Sequence, residues 1–310
     1  MKNRGLFLVV ISFLTTVAGI LLAISRTYQE VDLESVVEIW ADIMRDADRV
    51  GLTITYIPAS REMEIGREIE RELRTHLHVK DDAKLRAYVT AVGQPIVQHI
   101  QRKIIRYRFY IVDSAMINAF ALPGGGIYIT TGMLNFLESE AELAAILGHE
   151  ISHVDLRHCI ERLQYELAAR KMVGKELAIV ARLGYTLIQV GFNEQQELEA
   201  DAGGAILAAE AGYDPRASIA TFERLSHFEG EVKRKKPTLI IEELGVAVGR
   251  ALEQYFATHP PAETRIRELH LVLKRNQRAW RGNKFYIGRA NYKERISRSS
   301  GERASEWRVW

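Results

Sequence analysis

One stretch of this 310-residue chain carries residue types at a spacing that does chemistry: His149-Glu150-Ile151-Ser152-His153. Residues four apart on an α-helix differ by about 40° around the axis, so both imidazoles project to one side. Two neutral nitrogen donors on one face can share a single Zn2+. Glu150 stands beside the pair, where its carboxylate reaches a coordinated water without itself ligating. Zinc lowers the pKa of such a water to about 7, and a carboxylate within reach takes its proton during attack on a carbonyl. An amphipathic helix with two surface histidines has the same spacing. Here, however, Ala144-Ala145-Ile146-Leu147-Gly148 and Ile151 make the helix a buried one, and buried histidines need partners.

Two histidines and a water leave a zinc site one protein ligand short. The segment Glu197-Leu198-Glu199-Ala200-Asp201 supplies carboxylates. Glu197 and Asp201 are four apart and share a face. The first binds the metal, and the second accepts a hydrogen bond from a ligand imidazole and so holds its tautomer. Glu194 and Glu199 are the other candidate ligands. Ala200, Ala202, Gly203, Gly204 and Ala205 surround the pair with small residues, which points to close helix–helix contact. Near Thr258-His259-Pro260, His259 is expected either to stabilise an oxyanion when protonated or to fill the open metal position and hold the site off. It could also simply begin the helix that Pro260 and Pro261 introduce. Arg265 is a salt-bridge donor or a second anion stabiliser. His76, His78, His99, His158, His227 and His270 read as surface or structural, with His158 pointing off the metal face.

The elements that must position these groups are mainly helical, with one small β region, an α+β pattern. Helical spacing runs over 32–50, 60–77 and 82–103. Ile104–Asp113 alternates Tyr107, Phe109 and Ile111 with Arg106, Arg108 and Tyr110, which is the period of a strand. Asn118-Ala119-Phe120-Ala121-Leu122 leads into Pro123-Gly124-Gly125-Gly126, a forced turn, and Ile127-Tyr128-Ile129-Thr130 reads as a second strand. One long helix is expected over about 138–162 and another over about 194–211, stopped by Gly212 and Asp214-Pro215. Shorter helices fill 216–228, 240–257 and 262–277.

The two ends differ from the body. After Lys2 and Arg4 no charge occurs until Arg26, and the uncharged run Gly5–Ser25 is 21 residues, or about 32 Å as a helix. That is the thickness of a bilayer's hydrocarbon layer, so the run reads as a retained anchor or a secretory signal. Either one carries the rest of the chain across the membrane. From Leu271 onward there are eleven Lys/Arg and three Glu. This end reads as a solvated basic tail with a short strand at Lys284-Phe285-Tyr286-Ile287, able to attract anionic lipid headgroups through Arg275, Arg278, Arg281, Lys284 and Arg289. The expected division is 1–27 anchor or signal, 28–58 linker and leading helix, 59–277 catalytic domain and 278–310 tail. A net charge of +2 argues against a nucleic-acid-coating protein, and a single cysteine, Cys159, excludes an intramolecular disulfide or a Cys-rich metal cluster.

These motifs together resemble the zinc metallopeptidase family that includes HtpX, BepA, mitochondrial Oma and the CAAX prenyl endopeptidase. The likeness covers roughly residues 60–275 and rests on Asn118–Gly125, HExxH at 149–153, Glu197-x-Glu199-Ala200-Asp201 and Thr258-His259-Pro260. The resemblance implies a gluzincin-like fold with a small sheet beside the HExxH helix, one Zn2+ per chain with Glu197 as third ligand, and peptide-bond hydrolysis. It also raises the weight of a substrate-binding strand, with Asn118, Gly125, Gly126, Ile127 and Tyr128 at an exposed sheet edge that pairs with an extended peptide. Many members carry Ser-Arg where this chain has Asn193-Glu194, a departure from the family's pattern. A single leading apolar segment is similar to exported bacterial members. By resemblance, the substrates are unfolded or misassembled envelope proteins in protein quality control, and the site is the inner membrane with the catalytic domain in the periplasm. The competing expectation is a chaperone-like, client-binding protein whose zinc site stays closed.

Overall fold

The computed structural model describes residues 56–164, 191–234 and 262–310. The leading apolar segment, the helices expected over 32–50 and 240–257, and His259 lie outside the described residues. Among those described, no helix is long and apolar enough to cross a membrane. The elements are α1 (Ala59–His76), α2 (Ala83–Val97), β1 (Arg108–Val112), β2 (Ala119–Leu122), β3 (Gly126–Thr130), α3 (Thr131–Phe136), α4 (Glu140–Asp155), α5 (Glu194–Glu210), α6 (Arg216–Arg234), α7 (Ala262–Trp280), β4 (Lys284–Tyr286), α8 (Arg289–Glu294) and β5 (Trp307–Val309). Among the described residues the fold is mainly helical with two small sheets, in line with the α+β expectation.

Helix α4 is the axis of the core. Ser139 caps it by accepting from the Glu142 N–H at 3.2 Å, and the Glu142 carboxylate reaches back to the Glu138 N–H at 2.7 Å. Every residue from Glu140 to Val154 is buried, so this helix is enclosed on all sides rather than amphipathic. The one helix expected over about 138–162 is in fact two. α4 stops at Asp155, Arg157 takes a φ of 72°, and a fresh helical stretch begins at His158. The Asp155 carboxylate fixes the break by accepting from the Gln101 and Arg102 N–H groups at 2.9 and 2.7 Å.

The larger sheet has the order β1-β3-β2, with β1 parallel and β2 antiparallel to β3. This corrects the expected exposed edge. Ile127–Thr130 is the central strand, hydrogen-bonded on both sides, and the segment Ala119–Leu122, anticipated only as the approach to a turn, is an outer strand. The turn joining them has Gly124 and Gly125 at φ 78° and 93°. A Cβ on Gly125 would come within 2.7 Å of the Arg106 carbonyl oxygen, so both conformation and space demand glycine. The buried Glu62 of α1 anchors the turn by accepting from the Gly124 N–H at 3.2 Å while ion-paired to Arg102.

α5 lies directly against α4. A Cβ on Gly148 would sit 2.7 Å from the Gly204 carbonyl oxygen, and one on Gly204 would sit 2.5 Å from the His149 nitrogen. The two backbones touch, as the run of small residues leads one to expect. Asn193 begins α5 by accepting from the Gln196 N–H at 2.9 Å, so Asn supplies the helix cap at this position.

The C-terminal residues are not a solvated tail. β4 pairs antiparallel with β5, as the expected short strand requires, and Tyr286, Asn291, Tyr292 and Ser297 are buried. Trp280, Phe285 and Trp310 meet edge to face, with centroids 5.2–6.0 Å apart. The aromatic content of the segment, rather than its charge, decides its fate.

Candidate metal centre

α4 and α5 bring three donors together. His149 Nε2 and His153 Nε2 are 3.0 Å apart, His149 Nε2 is 3.5 Å from Glu197 Oε2, and His153 Nε2 is 3.6 Å from Glu197 Oε1. Ligands about 2.1 Å from a tetrahedral zinc lie about 3.4 Å from one another, so these separations fit the ion. His149, His153 and Glu197 are all buried and form a candidate metal-holding group among the described residues. Two imidazoles and a carboxylate suit zinc rather than a hard cation such as Mg2+ or Ca2+.

Asp201 stands behind His149, with Oδ1 2.9 Å from Nδ1. Its oxygens also accept from Arg265 of α7, from Nε at 2.7 Å and from Nη2 at 2.6 Å. Burial alone would raise the Asp201 pKa, but the adjacent guanidinium and imidazole override it and hold the carboxyl down at about 2. Arg265 is itself fully buried, with its guanidinium 4.0 Å from the Phe222 ring centroid. Of its two expected roles, the structure supplies the salt bridge. Burial would likewise lower the pKa of His149, yet Asp201 and Glu197 raise it to about 9. Protons and a metal therefore compete for this imidazole.

Glu150 is buried at the start of the same helical turn. Desolvation pushes its carboxyl up to about 7, with Glu197 adding to the shift. A cation in the adjacent site would pull it down again. With a cation seated there the ionised form is favoured, which is the form a proton acceptor needs.

Behind His153 stands another histidine, His158, which the sequence does not connect with the metal ligands. His153 Nδ1 is 3.1 Å from His158 Nδ1, and His158 Nε2 is 3.3 Å from Glu199 Oε2. Phe192 stacks on the His153 ring at 3.8 Å and 16°. Of the two expected readings of His158, surface or structural, its burial fits the structural one, and that burial lowers its pKa. Glu199, a candidate ligand by sequence, serves as this imidazole's partner instead. No Gly or Pro marks the helix break at 156–157, and an unbroken helix would have carried His158 away.

The structure does not bring the expected substrate-binding residues to an open edge. Gly125 packs on Ile105 and Arg106, Gly126 faces the Glu70 carboxylate, and Ile127 is buried in the central strand. The Tyr128 ring is stacked between Tyr110 and Phe120, both at 4.8 Å. Asn118 lies at the start of β2, its carbonyl oxygen accepting from the Thr130 N–H at 3.0 Å. By the antiparallel alternation this directs the backbone groups of Ala119 and Ala121 to the side away from β3.

The chain is 33% identical over 166 residues to the mitochondrial metalloendopeptidase OMA1 of Arabidopsis thaliana, a match covering 52% of this chain and 30% of that protein. It is 29% identical over 182 residues to the beta-barrel assembly-enhancing protease of Escherichia coli K12, covering 53% and 37%. To a protease HtpX homolog of Ralstonia nicotianae it is 29% identical over 194 residues, covering 52% and 66%. The chain thus matches only about a third to two thirds of the length of these curated relatives. The profile of peptidase family M48 matches residues 83–272, more than half of the sequence and the whole of the His–His–Glu cluster, and the chain belongs to that family.

Proposed function

We propose that this protein is a zinc-dependent endopeptidase. The observation that carries the reading is the convergence of His149, His153 and Glu197 from two touching helices, with the carboxylate of Glu150 in the same turn. Zinc held by those three residues would supply Lewis acidity and lower the pKa of a coordinated water to about 7. Glu150 accepts the proton of the attacking water and delivers it to the leaving amine. Asp201 orients His149, and Arg265 keeps that carboxylate ionised. An extended substrate strand would pair with the outer side of β2 at Ala119, where the neighbouring Ala121 carbonyl already accepts from the Cys159 thiol at 3.7 Å, rather than with β3.

The purified protein is expected to cleave a fluorescent unfolded polypeptide, and both a chelator and Glu150→Gln are expected to abolish cleavage, the latter by about 10²–10⁴-fold with zinc content unchanged. Cleavage that survives Glu150→Gln refutes the assignment of the base. Burial of the whole site favours a second reading, a client-binding protein with a closed zinc centre. Client binding without cleavage, indifferent to both treatments, would establish it.

Relatives named for β-barrel assembly and for the mitochondrion support membrane or envelope proteins as substrates and quality control as the role. The reading extends to anchorage or export through residues 5–25, a periplasmic catalytic domain, regulation or oxyanion stabilisation by His259, and contact of anionic lipid with Arg275, Arg278, Arg281, Lys284 and Arg289. Protease accessibility in intact cells tests the placement.

A further inference from the structure

The two metal-facing histidines are supported from behind in different ways. His149 presents Nδ1 to a carboxylate, which can only accept, so its proton sits on Nδ1 and its Nε2 lone pair faces the metal site. His153 turns its Nδ1 to the Nδ1 of His158 at 3.1 Å, and a neutral imidazole nitrogen can either donate or accept. The contact by itself therefore leaves the direction of the His153 hydrogen bond open.

Glu199 closes that choice. Its Oε2 lies 3.3 Å from His158 Nε2, and its Oε1 accepts from the side-chain amide of Gln195 at 2.8 Å. A carboxylate facing Nε2 requires the hydrogen there. Neutral His158 then offers a bare Nδ1, His153 donates Nδ1–H to it, and the lone pair of His153 Nε2 is left for the metal. The opposite tautomer of His158 would set two acceptors against each other at Glu199 and place the His153 proton on the metal-facing nitrogen. The backbone is built for this contact. Along an unbroken helix, residue 158 would point about 140° away from residue 153. The break at Leu156–Arg157, with Arg157 in a left-handed conformation that non-glycine residues seldom adopt, returns His158 against His153.

We propose that His158 and Glu199 form a relay of positioning residues that sets the tautomer of His153 and thereby the affinity of the centre for zinc. The proposal rests on the zinc reading above.

Zinc affinity, measured by competition with a chromophoric chelator on the full chain, tests it independently of peptidase activity. The side-chain amide of Asn places an oxygen near the Nδ1 position of His, and that of Gln reaches toward Nε2. His158→Asn is therefore expected to bind zinc within a few-fold of wild type, whereas His158→Gln and His158→Phe lose about 10–100-fold. A purely packing role beside Phe192 predicts the reverse order, with Phe tolerated best. Glu199→Gln keeps an acceptor and is expected to be near wild type. Glu199→Lys offers only donors and is expected to lose at least about tenfold, with a shifted visible spectrum in the cobalt-substituted protein. Because Glu199 is exposed on one side, its variants remain decisive should a His158 variant fail to fold. Wild-type affinity in Glu199→Lys and in the His158 variants that fold overturns the relay and leaves the zinc site standing. Absence of stoichiometric zinc in the wild type overturns the site itself.

Discussion

Asp201 shows what one carboxylate does when it serves two neighbours. It receives His149 on one side and a fully buried Arg265 on the other. Neither guanidinium nor carboxylate is stable alone in that interior, and removing one partner of a buried pair costs about 3–5 kcal/mol because the other charge is stranded. Asp201→Asn is therefore expected to lose that much in urea unfolding, and to weaken zinc binding about 10–100-fold through His149. A loss under about 1 kcal/mol would mean that water reaches Arg265. The placement of Asp201 on the side of Glu197 could be read from their spacing, since four residues along a helix fix a shared face. Its arginine could not be assigned, because the partner comes from α7, sixty-four positions away, and no local pattern records such a meeting. His158 was obscured for a related reason. Its position depends on one backbone dihedral at Arg157, and dihedrals leave no trace in residue type when the residue is not glycine.

At the level of elements, the site depends on how closely α4 and α5 approach. Glu197 and the histidines come from different helices, and their separations of 3.5 and 3.6 Å require backbones in contact at Gly148 and Gly204. Gly204→Ala places a methyl 2.5 Å from the His149 nitrogen, which backbone cannot yield to without moving the helix. The expected result is about 1–3 kcal/mol of destabilisation with a marked loss of zinc, measured by denaturation and metal content on the same preparation. A variant that folds and binds zinc as well as wild type would show that the helices can slide without cost to the site. The small residues around 200–205 announced this contact, because only close packing gives such a run a purpose. The sheet was less legible. Alternation in Ile104–Asp113 and the apolar run Ile127–Thr130 mark strands, but they carry no information on order. Only the pairing of β3 with both neighbours shows that its edge is taken, and four residues at 119–122 are too few for a period to declare itself.

For the molecule as a whole, the C-terminal segment joins the ends of both site-bearing helices. The carbonyls of Gly288 and Ile287 accept from the first N–H groups of α4, Glu140 and Ala141, at 3.2 and 3.0 Å. Arg298 donates to the carbonyls just past the end of α5, Ala211 and Gly212, at 2.7 and 3.0 Å, where a cation is favoured. A charge count called this stretch a tail, whereas its Tyr, Phe and Trp residues are what seat it. Glu140 lies at the junction, fully buried, with both oxygens 3.2 Å from the Arg298 N–H. Burial, with Glu306 nearby, raises its carboxyl from 4.5 to about 7 in spite of Arg298. Between those two values the folded protein keeps a proton that the unfolded chain has lost. The contribution of Glu140 to stability is thus fully present below about pH 4.5 and disappears as pH rises through about 7. Glu140→Gln removes the titration while keeping an acceptor for Arg298. Denaturant unfolding over a pH series is expected to show wild type losing stability relative to the variant across this window, with the difference levelling off above about pH 8. A constant difference between the two proteins from pH 4 to 8 would mean that Glu140 ionises in the fold as it does in the open chain, and that the clamp on α4 is wetter than its burial implies.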